Sequence, residues 1–78
     1  MVTPEQLKEW IESGFEGAQV SVEGDGHHFE ALVVAIEFDG LSRIKRHQLV
    51  YKALGDKMKA EVHALSMKTV TPSEHESS

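Results

Sequence analysis

Phe38-Asp39-Gly40-Leu41-Ser42-Arg43-Ile44-Lys45-Arg46-His47-Gln48-Leu49-Val50-Tyr51 is the stretch whose reading decides the fold. It follows the most apolar run in the chain, holds its densest cluster of positive charge, and joins two predicted strands. An Asp39-Gly40 turn leads into a predicted helix that ends near Leu54-Gly55. Along it Ile44, His47, Tyr51, Leu54 and Met58 recur at steps of three and four. At about 3.6 residues per turn, that spacing places them on one face. The opposite face carries Lys45, Arg46 and Lys52, with Leu49 among them.

On the N-terminal side, the first predicted element is a helix of about three turns. Thr3 is its N-cap, Pro4 fits the first helical position and Gln6 completes a capping box. Leu7, Trp10 and Ile11 form the apolar face, with Glu5, Glu9 and Glu12 around it, and Ser13-Gly14 ends the helix. Trp10 reads as a core anchor, since an aromatic that stacks on bases wants basic neighbours and these are acidic. Gln19 to Glu23 alternates polar and apolar, the pattern of a strand with one wet face. Gly24-Asp25-Gly26 marks a turn, and His27-His28-Phe29 leads into the apolar run Glu30 to Ile36, a strand central in a sheet. Beyond the basic helix, Ala60 to Lys68 reads as a third strand, and Thr71-Pro72 closes the domain.

The predicted order is therefore α-β-β-α-β, an α+β fold with a three-stranded mixed sheet and both helices on one face. The second strand, the basic helix and the third strand make a crossover unit, which places those strands parallel with a right-handed connection. Residues 1–72 form the domain. The tail 73–78 is polar, has nothing to bury, and is expected to be disordered.

Seventy-eight residues make one small domain, of a size that buries only about 60% of the surface its unfolded chain exposes. There is no cysteine, so the chain has neither a disulfide nor a thiolate for a metal. No stretch approaches the roughly 20 apolar residues of a membrane span, and the polar start does not resemble a signal peptide. The plain reading is a cytoplasmic protein, monomeric when free, that does not engage a membrane. The net charge of −5 is unevenly distributed. Residues 1–40 hold one lysine against nine acids, whereas 41–72 hold seven Lys or Arg against two acids. Such asymmetry marks either a binding surface of one sign or merely a solvated helix face.

No nucleophile–base pair or paired-acid motif stands out, and Gly24-Asp25-Gly26 is too short to cradle phosphate and lacks a following helix. An enzyme is the least supported class. The histidines are the chemically informative residues. His28 begins the second strand and His63 lies near the start of the third. Parallel strands begin at the same end of a sheet, so the two can approach each other across the intervening chain. His63 also has an ordinary reading as a strand residue hydrogen-bonded near an edge, and His27-His28 as an exposed loop pair. Zinc held by His27, His28 and His63 lacks a convincing fourth ligand beyond Asp25. His47 shares the helix stripe and reads as structural, and His75 falls in the tail.

The motifs Phe38-Asp39-Gly40, Ser42, Arg46-His47-Gln48-Leu49-Val50-Tyr51, Val62 to Thr69 and Thr71-Pro72 occur in an order and spacing that resemble the BolA family, in particular its short IbaG-like bacterial branch. The likeness runs from about Val20 to Pro72. It implies a fold similar to type II KH domains. It implies further that His63 ligates a [2Fe–2S] cluster shared with a monothiol glutaredoxin, which supplies the thiolates of a cysteine and of bound glutathione. The second ligand of the family comes from the loop before the second strand, where this chain offers His28 or His27. The role implied is iron–sulfur cluster maturation, trafficking or iron sensing. Family members often continue beyond the Thr-Pro into a helix opening on a tryptophan-containing motif, which this chain lacks.

Two partners compete for the basic helix. Arg43, Lys45, Arg46, Leu49 and Lys52 can dock a glutaredoxin, unless Leu49 tucks against the first helix. Alternatively they can bind DNA in a transcriptional regulator of stress response, a role considered for a few BolA-like proteins. Against DNA stand the overall acidity and Gly40-Leu41-Ser42-Arg43, which has no second glycine for the backbone grip of KH domains.

Overall fold

A computed structural model describes residues 2–57 and 64–77. Helix α1 (Pro4–Glu12) is followed by strands β1 (Gln19–Gly24) and β2 (Phe29–Val34), a 3-10 turn (Ile36–Phe38) and helix α2 (Arg43–Leu54). Strand β3 (Leu65–Val70) and a short helix α3 (Pro72–Ser77) complete the order. The sheet runs β1-β2-β3, with β1 antiparallel and β3 parallel to the central β2. The mixed sheet and the parallel crossover expected from the sequence are present. Of the third strand read as Ala60 to Lys68, residues 60–63 lie outside the described residues, as does Met58 of the helix stripe.

Strand alternation divides the sheet into two faces. Val20, Phe29, Ala31, Val33 and Leu65 point toward α1 and α2 and form one core with Leu7, Ile11, Phe38, Val50 and Leu54. Ser21, Glu23, Glu30, Ser66 and Lys68 are exposed on the other face. α1 starts as its sequence dictates: Gln6 N donates to Thr3 Oγ1 at 3.2 Å and Thr3 N to Gln6 Oε1 at 3.0 Å. Trp10 packs half-buried against the core.

Three sequence readings need correction. First, β2 stops at Val34 instead of continuing through Ile36. Ala35 N still donates to Val70 O at 3.0 Å. The chain then turns, which drives Phe38 fully into the core and leaves Ile36 69% exposed.

Second, of the stripe Ile44, His47, Tyr51 and Leu54, only Leu54 lies on the fully buried face of α2. Val50 and Leu54 are its buried residues, with Arg46 half-buried one turn before them. Ile44 is 71% exposed and Tyr51 38%. Leu49 packs against the core at its margin, the ordinary fate of a leucine. Steps of three and four fit several faces of one helix. The elements against which α2 packs, α1 and β3, choose among them.

Third, the tail is not disordered through 73–77, because it forms α3. Thr71 and Glu74 make a capping box: Glu74 N donates to Thr71 Oγ1 at 3.1 Å and Thr71 N to Glu74 Oε1 at 2.8 Å. Two satisfied end groups and an ion pair to α2 replace the apolar burial that the segment lacks.

Candidate functional site at the start of the parallel strands

The β1–β2 connection is a short loop, 25–28, closed by the facing pair Gly24 and Phe29. Asp25 organises it. Its Oδ1 accepts from His27 N at 2.9 Å and from His28 N at 3.0 Å, an Asx turn in which the side chain substitutes for a backbone acceptor. These two amides, His27 first, hold the Asp25 carboxyl below its ordinary range. Gly26 takes φ +93°, a conformation that suits only glycine well. The loop is thus determined by its own sequence, and it delivers His28 to the first position before β2.

His28 is exposed, and its Nε2 lies 3.3 Å from Ser66 Oγ on β3. In the parallel register Phe29 faces Leu65 and Glu30 faces Ser66. His28 and Ser66 therefore share the sheet face turned away from the helices. Beside them runs a shallow groove of about 460 Å³ lined by Ser21, Glu23, Glu30, Leu32, Ser66 and Lys68. Ser66 enters as a neighbour of His28 through the strand register, which parallel pairing alone does not fix. His27 is exposed in the same loop. His63 lies outside the described residues.

His47 is half-buried, and its Nε2 is enclosed without a hydrogen-bond partner. Burial, and secondarily the charge of Arg43, lowers its pKa and favours the neutral ring. His75 sits exposed on α3.

The basic helix is divided by the fold. Arg43, Lys45 and Lys52 are exposed, and Lys45, Lys52 and Leu49 line a groove with Leu41 and Gln48. Arg46 turns inward. Its Nε donates to Leu41 O at 2.9 Å and one terminal nitrogen to Thr69 O at 3.1 Å, with the guanidinium 5.9 Å from the centre of the Phe38 ring. Both terminal nitrogens reach Glu74. The α2 groove and His28 thus lie on opposite sides of the sheet.

The donor set of this chain bears on the cluster that the resemblance implies. Among the described residues no three His, Asp or Glu side chains are placed to hold a metal ion together. The chain contains no cysteine and therefore no thiolate ligand. In the β1–β2 loop it offers exposed imidazoles, which fit a cluster whose remaining ligands come from elsewhere. No helix among the described residues is long and apolar enough to cross a membrane.

The profile of the BolA-like protein family matches residues 3–74. The acid stress protein IbaG of Escherichia coli K12 is 44% identical over 57 residues, covering 72% of this chain and 68% of that protein. Among solved structures, a BolA protein homologue from Coxiella burnetii superposes with a TM-score of 0.87 at 53% identity, covering 97% of this chain and 99% of the other. Yeast Fra2 superposes at 0.76 with 34% identity, covering 95% and 84%.

Proposed function

Because this chain belongs to the BolA-like family, we propose that it is a non-enzymatic partner of a monothiol glutaredoxin, co-ligating a [2Fe–2S] cluster in iron–sulfur maturation, trafficking or iron sensing. The observation that carries the reading is the presentation of His28. An exposed imidazole stands at the mouth of the parallel pair β2–β3, fixed on one side by the Asp25 turn and on the other by Ser66. A ligand shared with a second protein needs that combination of access and rigidity. Outer partners such as Ser66 orient a ligating ring and set its tautomer.

His63 is the first ligand by family resemblance, and His28, in preference to His27, is the second. Imidazole in place of thiolate on one iron raises the reduction potential of such a cluster. The sulfur ligands come from the glutaredoxin and its glutathione. DNA binding is the weaker reading, since Arg46, central to the basic helix, is engaged within the fold.

The test is visible absorption and circular dichroism of a glutaredoxin-bound [2Fe–2S] cluster while this protein is titrated in. The native chain is expected to change the spectrum, His63→Ala to abolish the change, and His28→Ala to reduce it. An unaltered spectrum with the native chain, together with an unaltered oligomeric state of the glutaredoxin, would rule the reading out. Salt-dependent DNA binding lost on Lys45→Ala would then favour the alternative.

A further inference from the structure

We infer that the sulfur-supplying partner docks on the helix-free face of the sheet, presenting a Lys or Arg to the Glu23–Glu30 pair, and not on the basic face of α2. The inference rests on the shared-cluster reading but concerns where the partner's body lies.

Three rows of side chains cross that face. Nearest His28 is Glu23, Glu30 and Ser66, then Ser21, Leu32 and Lys68, and the far row Gln19, Val34 and Val70 lies at the end where α3 begins. The first two rows line the groove beside His28. A protein that brings ligands to His28 approaches from the side on which His28 is exposed, and the residues nearest on that side are the first row. The outward groove of α2 lies behind the sheet, with the core Val33, Phe29, Val50 and Leu54 in between.

Charge selects the occupant. Glu23 and Glu30 stand directly opposite each other on neighbouring antiparallel strands and both are exposed. Like charges in facing positions destabilise a sheet. Among the described residues the ion pair present is Arg46 with Glu74, on the other side of the molecule, so no described cation pairs with these two acids. A basic side chain from the partner relieves the repulsion on docking. Leu32 is a half-buried apolar floor in the adjoining row, and Lys68 beside it asks for an acid. Same-face rows are separated by two residues, about 7 Å. With the strand spacing of about 4.8 Å added, the partner surface carries a cation next to its thiolate, an apolar contact, and an acid about 8–10 Å from the cation.

The test uses the isotope-labelled chain titrated with a cluster-free monothiol glutaredoxin, followed by amide NMR, with Glu30→Lys and the double variant Lys45→Glu/Lys52→Glu alongside. Shifts are expected at Ser21, Glu30, Leu32, Ser66 and Lys68. Glu30→Lys should raise the Tm of the free chain, because it turns a repulsive cross-strand pair into an attractive one. It should also weaken the complex about tenfold. The α2 double variant should bind as the native chain does. Shifts confined to α2, or a Glu30→Lys complex of native affinity, would overturn the inference even if the cluster spectrum responds as proposed. Conversely, a silent cluster spectrum with an apo complex that Glu30→Lys weakens leaves the docking face standing and removes the cluster reading. Absence of any complex overturns both.

Discussion

Arg46 of α2 and Glu74 of α3, 28 positions apart in the chain, form a two-pronged ion pair with N–O distances of 2.7 and 3.1 Å. The same guanidinium binds the carbonyls of Leu41 and Thr69, and Glu74 Oε1 accepts from Thr71 N. One arginine thereby joins the start of α2, the end of β3 and the first turn of α3. Only a planar fork with five donors can serve these acceptors at once. Its bond to Thr69 O also occupies a backbone acceptor of the edge strand β3, where exposed groups invite pairing with another chain.

Arg46 should therefore behave as a structural residue. Arg46→Ala removes charge-assisted bonds from a mostly enclosed side chain and is expected to lower stability by about 2 kcal/mol. Arg46→Lys should recover only part of that, because an ammonium cannot bridge the same acceptors. Lys45→Ala, one position away on the exposed face, should stay within about 0.5 kcal/mol of the native chain. Urea unfolding of the three variants measures the contrast, and equal effects at 45 and 46 would place both on a solvated face.

The Glu74 carboxyl is held down to about 2, chiefly by Arg46 and next by the Thr71 amide. A carboxyl depressed in the folded state contributes fully above its unfolded value, here 4.5, and loses that contribution as pH falls toward about 2. α3 should consequently detach across that window, seen as loss of protection at the Thr71 and Glu74 amides. Glu74→Gln should leave α3 frayed already at neutral pH and remove this titration. An α3 that persists in Glu74→Gln would show that the ion pair does not hold it.

Much of this arrangement is legible in the sequence. The Thr3 capping box, the alternation from Gln19 to Glu23 and the Gly24-Asp25-Gly26 turn are local signals whose cause lies within a few residues, and each forms where expected. The parallel pairing of β2 with β3 follows from the crossover helix between them. What the sequence leaves open is set by contacts distant along the chain. Arg46 looks like its lysine neighbours until Thr69 and Glu74 are brought to it. Residues 73–77 look solvated because their stabilisation is polar and belongs to another helix. For the candidate site, the Asx turn before His28 is local and readable, whereas Ser66 depends on a strand register that composition does not fix.

His47 links acidity to the stability of the fold. Burial, with Arg43 adding to it, lowers its pKa in the folded state, whereas the unfolded chain titrates near 6.5. The unfolded state then binds more protons once pH drops below that value, so stability should decline as pH falls from 7 toward 5. His47→Leu removes the titrating ring and should flatten the dependence in that range while leaving the lower transition of Glu74 in place. Denaturant midpoints at pH 7, 6 and 5 for both chains provide the measurement. Parallel slopes would exclude His47 as the source.

The presentation of His28 depends on the glycine that ends β1. A Cβ placed on Gly24 would lie 2.6 Å from the His28 carbonyl oxygen and 2.5 Å from Phe29 Cδ1. The ring belongs to a core residue only 1% exposed, and the carbonyl accepts from Asp25 N at 3.3 Å, so neither side can yield without moving the loop. Gly24→Ala is expected to cost about 1–3 kcal/mol, as overpacking does. It should also shift the His28 and Ser66 resonances together, because the new methyl presses on the His28–Phe29 segment that leads into the pairing with β3. Gly17→Ala supplies the comparison: it sits at φ +71° with open space around the added carbon, so it bears backbone strain without a clash. It should destabilise the chain yet leave the His28 signals in place. If the two alanines act alike on His28, the close approach at Gly24 does not position the ring. If only Gly24→Ala displaces it and also diminishes the response of a glutaredoxin-bound cluster, hairpin packing and ligand geometry are one property of the fold.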